Sequence, residues 1–169
     1  MGSCLALASS ADQSSKLASP ADQSSVLATV PATATWANTT AFVPPIAAGL
    51  VIKVYDGDTI TIAARLPIAD SPLYRFSVRL RGIDSAEIRG KSDAERAAAL
   101  SARDALSALV LGKPVRLLET GCEKYGRLLA HVYVDGVEGS LSDWMLAHKY
   151  AVPYDGGQKA IFNPHEQPK

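Results

Sequence analysis

Three short runs in a chain of 169 residues place acidic, basic and hydroxyl side chains where they could do chemistry together. They are Asp56-Gly57-Asp58-Thr59, then Arg79-Leu80-Arg81-Gly82-Ile83-Asp84-Ser85-Ala86-Glu87, then Lys124-Tyr125-Gly126-Arg127. Each has an ordinary reading alone. Asp-Gly is a common hairpin turn, a charged strand end is a solvated edge with surface ion pairs, and a basic tetrapeptide is a loop. Together they allow something more specific. Oxygen donors held close can bind a hard cation such as Ca²⁺. A third carboxylate could then take a proton from water. Two guanidinium forks match phosphate oxygens. A phosphodiester under attack gains negative charge that a cation and guanidinium groups stabilise.

The elements that must position these runs follow from periodicity. Leu50 to Tyr55 and Thr59 to Ile62 are predicted as strands joined by the Asp-Gly-Asp turn. Arg65 to Leu73, with two prolines, is a loop or wide hairpin. Arg75 to Arg81 alternates, sending Phe76, Val78 and Leu80 to one face and Arg75, Ser77, Arg79 and Arg81 to the other. Ser92-Asp93-Ala94-Glu95 reads as a capping box. The helix it opens has an apolar stripe of Ala98, Ala102, Ala105, Leu106 and Leu109, and Gly112 and Pro114 stop it. Val115 to Glu119 and Leu128 to Val134 are two more strands, and Ser140 caps a second helix running to about Tyr150. The order is three strands, helix, two strands, helix. This predicts a mainly β fold with α (α+β), a five-stranded OB-fold barrel with two to three helices.

Residues 1–47 have a different texture, with 11 Ala, 8 Ser and 5 Thr, and only Asp12, Lys16 and Asp22 charged. So few large apolar groups cannot offset the entropy of ordering, and a disordered tail or linker is expected. Inside it Ala11 to Ser15 recurs as Ala21 to Ser25, too little for a repeat architecture. The expected folded domain is 48–157, with 158–169 a short C-terminal tail. Lys plus Arg and Asp plus Glu both number 17, which excludes a polycationic arm holding nucleic acid by bulk charge. No apolar run is long enough for a membrane span. Cys4 and Cys122 form no disulfide framework, and no Cys/His spacing suggests zinc. His131 and His148 read as ordinary strand and helix positions, Trp144 and Met145 as core. Arg81 reads equally as a surface charge or a substrate contact, and Trp36 has no assignable role.

The three runs, in this order and with a helix between the second and third, resemble the signature of the staphylococcal nuclease (thermonuclease) family over about Leu50 to Gly157. The resemblance implies that Asp58 and Asp84 ligate Ca²⁺, or another divalent cation, with the Ser85 backbone carbonyl, and that Asp56 stands behind them. It implies that Glu87 is the general base and that Arg79 and Arg127 bind and polarise the phosphate. Lys124 and Tyr125 would flank a terminal phosphate, and Tyr154 would stack on a base. The implied activity is calcium-dependent hydrolysis of DNA and RNA, single strands preferred, leaving 3′-phosphate ends. A monomer is expected.

Three departures stand out. Ser85 replaces the usual Thr, and Ala86 replaces a Pro, which frees the loop before Glu87. Lys149 sits where a Gly often closes the last helix, a position that requires φ > 0. The resemblance favours a secreted or cell-envelope protein, yet no basic stretch precedes an apolar one at the start, so the sequence assigns no location. The rival readings are a non-catalytic nuclease-like module binding nucleic acid or protein, and an adaptor whose tail does the binding. If 1–46 is a dispensable tail, removing it should leave activity and melting temperature nearly unchanged.

Overall fold

The computed structural model describes residues 30–157. The short repeat, Cys4, the expected tail up to residue 29 and the segment 158–169 lie outside the described residues. The chain divides into two units, 1–40 and 41–169. In the first, the described residues include one 3-10 turn, Trp36–Asn38, with Trp36 96% exposed. The Thr35 amide donates to Asn38 Oδ1 there at 2.7 Å.

In the second unit the strands are β1 (Ala48–Val54), β2 (Thr59–Ala64), β3 (Tyr74–Leu80), β4 (Ile83–Ser85), β5 (Pro114–Cys122), β6 (Leu128–Val134) and β7 (Ala151–Pro153). The helices are α1 (Asp93–Val110) and α2 (Leu141–Ala147). β1, β2, β3, β6 and β5 close into a barrel, antiparallel except where β3 runs parallel to β6. This is the five-stranded mainly β arrangement with helices that the element order predicts. The core is the inward face of the barrel, with Val51, Ile60, Ile62, Val78, Leu80 and Val132 at 0% exposure, closed by Leu106 of α1 and Met145 of α2.

Two short strands escape periodicity. β4 and β7 pair antiparallel, Ile83 with Pro153, Asp84 with Val152 and Ser85 with Ala151. Three residues are too few to show a period of two. Their pairing matters, because β4 carries two of the predicted site residues.

Other details differ from expectation. The buried stripe of α1 is Ala99, Ala102, Leu106 and Val110, while Ala98, Ala105 and Leu109 are half-buried. An alanine-rich helix offers several equivalent faces, and packing on the barrel selects one. Ser92 caps α1 by accepting from the Glu95 amide at 3.1 Å, but the Glu95 carboxylate reaches one residue further back, to the Lys91 amide at 2.9 Å. The reciprocal box forms instead at α2. The Asp143 amide donates to Ser140 Oγ at 3.2 Å, and the Ser140 amide donates to Asp143 Oδ2 at 2.9 Å. Hydrogen bonds from the Ser140 hydroxyl and amide hold the Asp143 carboxyl below its ordinary range.

The end of α2 behaves as its sequence predicts. The Tyr150 amide donates to Met145 O at 2.9 Å and the Lys149 amide to Leu146 O at 3.0 Å, the paired bonds of a Schellman motif. They place Lys149 at φ 60, a conformation that costs a side chain about 1–2 kcal/mol. Lys149→Gly is therefore expected to stabilise the protein by about 1 kcal/mol, read as a higher midpoint in urea unfolding.

The expected tail boundary at residue 47 moves. Ile46 is 5% exposed within the core cluster, and Ala47 O accepts from the Leu117 amide at 2.8 Å. Composition averaged over the segment hides one well-placed isoleucine. Burying such a side chain is worth about 2 kcal/mol. A chain beginning at Ala47 is thus expected to be less stable by about 2 kcal/mol than one beginning at Ala41, in thermal or urea unfolding. Equal stabilities would show that Ile46 contributes nothing.

Candidate functional site

The first run is the turn between β1 and β2. The Tyr55 amide donates to Thr59 O at 2.9 Å, and the Asp58 amide donates to Asp56 Oδ1 at 3.1 Å. Gly57 is dictated by close approach. A Cβ there would lie 2.8 Å from the Ala102 Cβ and 2.9 Å from the Ser85 Cβ. The turn is therefore seated between α1 and β4, and Asp58 is left only 3% exposed.

The polar face of β3 delivers Arg79 to the same place. Arg79 Nη1 lies 2.9 Å from Asp58 Oδ2, and Nη2 lies 2.7 Å from Asp84 Oδ1. Nη2 also donates to Ile83 O at 3.2 Å. The guanidinium side chain is 10% exposed and its two carboxylate partners 4% and 8%. β4 adds a further contact, the Ser85 amide donating to Asp58 Oδ2 at 3.2 Å. The β4–β7 pairing fixes Ser85 against Ala151, and the Gly90 amide donates to Glu87 O at 2.8 Å. The backbone on both sides of Glu87 is thus held although Ala86 is not a proline.

The third run joins β5 to β6. Arg127 Nη1 donates to Thr59 Oγ1 at 3.3 Å, and Thr59 Oγ1 donates to Asp58 Oδ1 at 2.8 Å. The Arg127 Nε donates to the carboxylate of Glu123. Lys124 Nζ stands 5.0 Å from the Tyr125 ring centroid, and Tyr125 is 74% exposed. Tyr154, just past β7, is fixed by its amide donating to Gly82 O at 2.9 Å, and the Arg79 guanidinium carbon is 5.8 Å from its ring centroid.

These side chains surround one open cavity of about 390 Å³. Of the residues singled out from sequence, Asp56, Asp58, Arg79, Ser85, Glu87, Lys124, Tyr125, Arg127 and Tyr154 all line it. Asp84 does not, and it acts on the cavity through Arg79. A second cavity of about 390 Å³ shares Arg79, Glu123, Lys124 and Tyr154 with the first.

The electrostatics follow from burial. Removal from water, then the nearby Asp56 carboxylate, push Asp58 up to about 7, against the pull of Arg79 and the Thr59 hydroxyl. Burial opposes the charge on Arg79, but Asp58 and Asp84 outweigh it and hold the group above its ordinary value. Burial and the neighbouring Asp56 thus disfavour the charged form of Asp58, the direction that a bound cation would oppose. The cluster's donors are all oxygens, which suits a hard cation. Among the described residues, no three His, Cys, Asp or Glu side chains converge as a ready-made metal cage.

Three participants at the site lie outside the residues singled out from sequence. Glu123 pairs with Arg127 across four residues, a spacing visible beside the third run. Thr59 links Arg127 to Asp58, and it stood in the first run without a role. Tyr55 lines the cavity, and its orientation depends on a strand irregularity that has no sequence signature. Arg81 resolves toward structure, its Nη2 donating to Glu119 O at 2.8 Å and its Nε buried without a hydrogen-bond partner.

Removing one member of a buried ionic cluster strands the others, at about 3–5 kcal/mol. Arg79→Ala is expected to lower the unfolding free energy by about that amount, measured by urea unfolding without added metal. Arg127→Ala, whose pair with Glu123 is only partly buried, should lose distinctly less. Equal losses would contradict the central place of Arg79.

A family model described as staphylococcal nuclease homologue matches residues 77–167, more than half of the chain. The match takes in the second and third runs. The first run lies before it and is tied to the others by the contacts of Asp58 and Thr59. No curated protein matches the chain.

Proposed function

The chain belongs to the family of staphylococcal nuclease homologues, and from that premise we propose that it is a calcium-dependent nuclease hydrolysing phosphodiester bonds in DNA and RNA. It prefers single strands and leaves 3′-phosphate ends. The observation that carries the reading is that Arg79, Arg127, Asp58 and Glu87 line one open cavity. Among the described residues no helix is long and apolar enough to cross a membrane.

Asp58, Asp84 and the Ser85 carbonyl would hold the calcium, with Asp56 beside Asp58. The closely placed carboxylate and carbonyl oxygens are what favour a divalent cation there, and another hard cation could substitute. When bound, calcium supplies positive charge next to the phosphate and eases loss of a proton from water.

The protein's own groups account for the rest. Arg79 and Arg127 take the non-bridging phosphate oxygens in their planar forks, exchanging internal carboxylate partners for the substrate. These contacts strengthen as charge builds up on the phosphate, which is where they accelerate the reaction. Glu87, at the cavity wall, accepts the proton of the attacking water. The bond from phosphorus to the 5′ oxygen breaks, the leaving oxygen takes a proton from solvent, and the phosphate remains on the 3′ side. Lys124 and Tyr125 flank that phosphate, and Tyr154 offers a stacking face.

Purified protein is expected to cleave denatured DNA and RNA with Ca²⁺ and to stop with a chelator. The new 3′ ends should resist polymerase extension until treated with phosphatase. Glu87→Gln should slow cleavage by about 10²–10⁴-fold, and it is the cleaner variant because Arg79→Ala also loosens the fold. Ca²⁺ should raise the melting temperature of the wild type and not that of Asp58→Asn. Nucleic-acid binding without metal-dependent cleavage would instead support the non-catalytic module.

A further inference from the structure

Strand β1 carries a bulge just before the turn that borders the cavity, and it sets which way the side chains at the end of the strand and beyond it face. Val51 pairs with Ile62 and Lys53 with Thr61, so Ile52 is the extra residue. Val51 is buried, and in an unbroken strand Lys53 and Tyr55 would follow it inward. The extra residue shifts the alternation. Val54 packs against the core, and Lys53 and Tyr55 turn outward. Bulges beside functional sites re-aim side chains in this way.

Tyr55 is 54% exposed and lines the cavity, next in sequence to Asp56. Its backbone is fixed by the hydrogen bond to Thr59 O. Lys53 Nζ lies 5.9 Å from its ring centroid. The same combination of ring and cation recurs at this cavity in Lys124 with Tyr125 and in Arg79 with Tyr154. Tyr55 and Lys53 thus present an exposed aromatic face and a positive charge that no step of the hydrolysis uses.

We propose that Lys53 and Tyr55 form a subsite for single-stranded nucleic acid, Tyr55 stacking one base and Lys53 meeting the adjoining backbone phosphate. Stacking faces beside cations are how proteins hold single strands without reading sequence. Only an unpaired base presents its whole face, so the subsite also favours single strands over duplex. The inference rests on the nuclease reading and adds the direction of the strand, past the β1–β2 turn.

The test is binding of fluorescent single-stranded oligonucleotides of two to ten nucleotides to the Glu87→Gln protein with Ca²⁺. Affinity should step up once the strand is long enough to reach Tyr55. Adding Tyr55→Ala should remove that step, a loss of roughly 5- to 100-fold for the longer strands, with the melting temperature kept. Tyr55→Phe should restore it and Tyr55→Leu should not, which separates stacking from mere apolar bulk. Lys53→Gln should lower the slope of log affinity against log salt by about 1. If Tyr55→Ala keeps the length step, or Tyr55→Leu binds like Tyr55→Phe, the subsite is wrong while the nuclease reading stands. If the Glu87→Gln protein binds no oligonucleotide of any length and the wild type cleaves none, both fall.

Discussion

One buried guanidinium between two buried carboxylates sets the terms for the rest of the second unit. Arg79 bridges Asp58 and Asp84, all three nearly cut off from water. Such a cluster is weak evidence of stability, since apolar side chains of similar volume would often serve as well or better. The fold maintains it by supplying further hydrogen bonds, from the Ser85 amide and the Thr59 hydroxyl to Asp58 and from Arg79 to Ile83 O. The cluster also reaches outward through Thr59 to Arg127 and Glu123. The two arginines are therefore connected through a single carboxylate, and the state of Asp58 bears on both.

Holding that cluster needs small residues as much as charged ones. Gly57, Ala102 and Ser85 meet where the β1–β2 turn, α1 and β4 converge. A larger side chain at position 57 would have to lift the turn and carry Asp58 away from Arg79. Ser85 also fits this contact, because its side chain is among the atoms that a Cβ on Gly57 would strike. The departure from threonine can thus be read as packing against the turn, while the backbone carbonyl of the residue is unaltered. β7 completes the seat by pairing with β4. The carboxylates thus sit on paired strand and tight turn, which position them more rigidly than loops would.

Much of this was legible in sequence where residue type and spacing determine the outcome alone. The alternation of β3 put Arg79 on the polar face, and Lys149 announced its strained position through the missing glycine. The three runs hold most of the side chains at the cavity, nine of the twelve that line it. What was not legible depends on contacts between distant segments. The face of α1 is ambiguous among alanines until the barrel chooses it. Ile46 looks like one apolar residue in a poor tail until β5 runs beside it. Glu123 is the exception, since it stands only four residues before Arg127 and its pairing was open to reading. The β1 bulge leaves no mark in the sequence because Val51-Ile52-Lys53-Val54 reads as an unbroken strand. Its consequence, Tyr55 at the cavity, was hidden with it.

The charge balance takes a different meaning from these contacts. Residues 48–157 hold five Lys and nine Arg against nine Asp and five Glu, so the folded part is as neutral as the chain. Within the site the two signs are paired, Arg79 facing Asp58 and Asp84, and Arg127 facing Glu123. Binding an anion there is an exchange of partners, and its cost depends on what becomes of the carboxylate left behind. Asp58 and Asp84 cannot be abandoned in a buried place without another positive charge. A cation taken up by those oxygens would lower the cost of releasing Arg79 to a phosphate, and by linkage a bound phosphate would favour the cation in return. On the proposed reading, the requirement for metal and the grip on one phosphodiester are two views of the same buried charge.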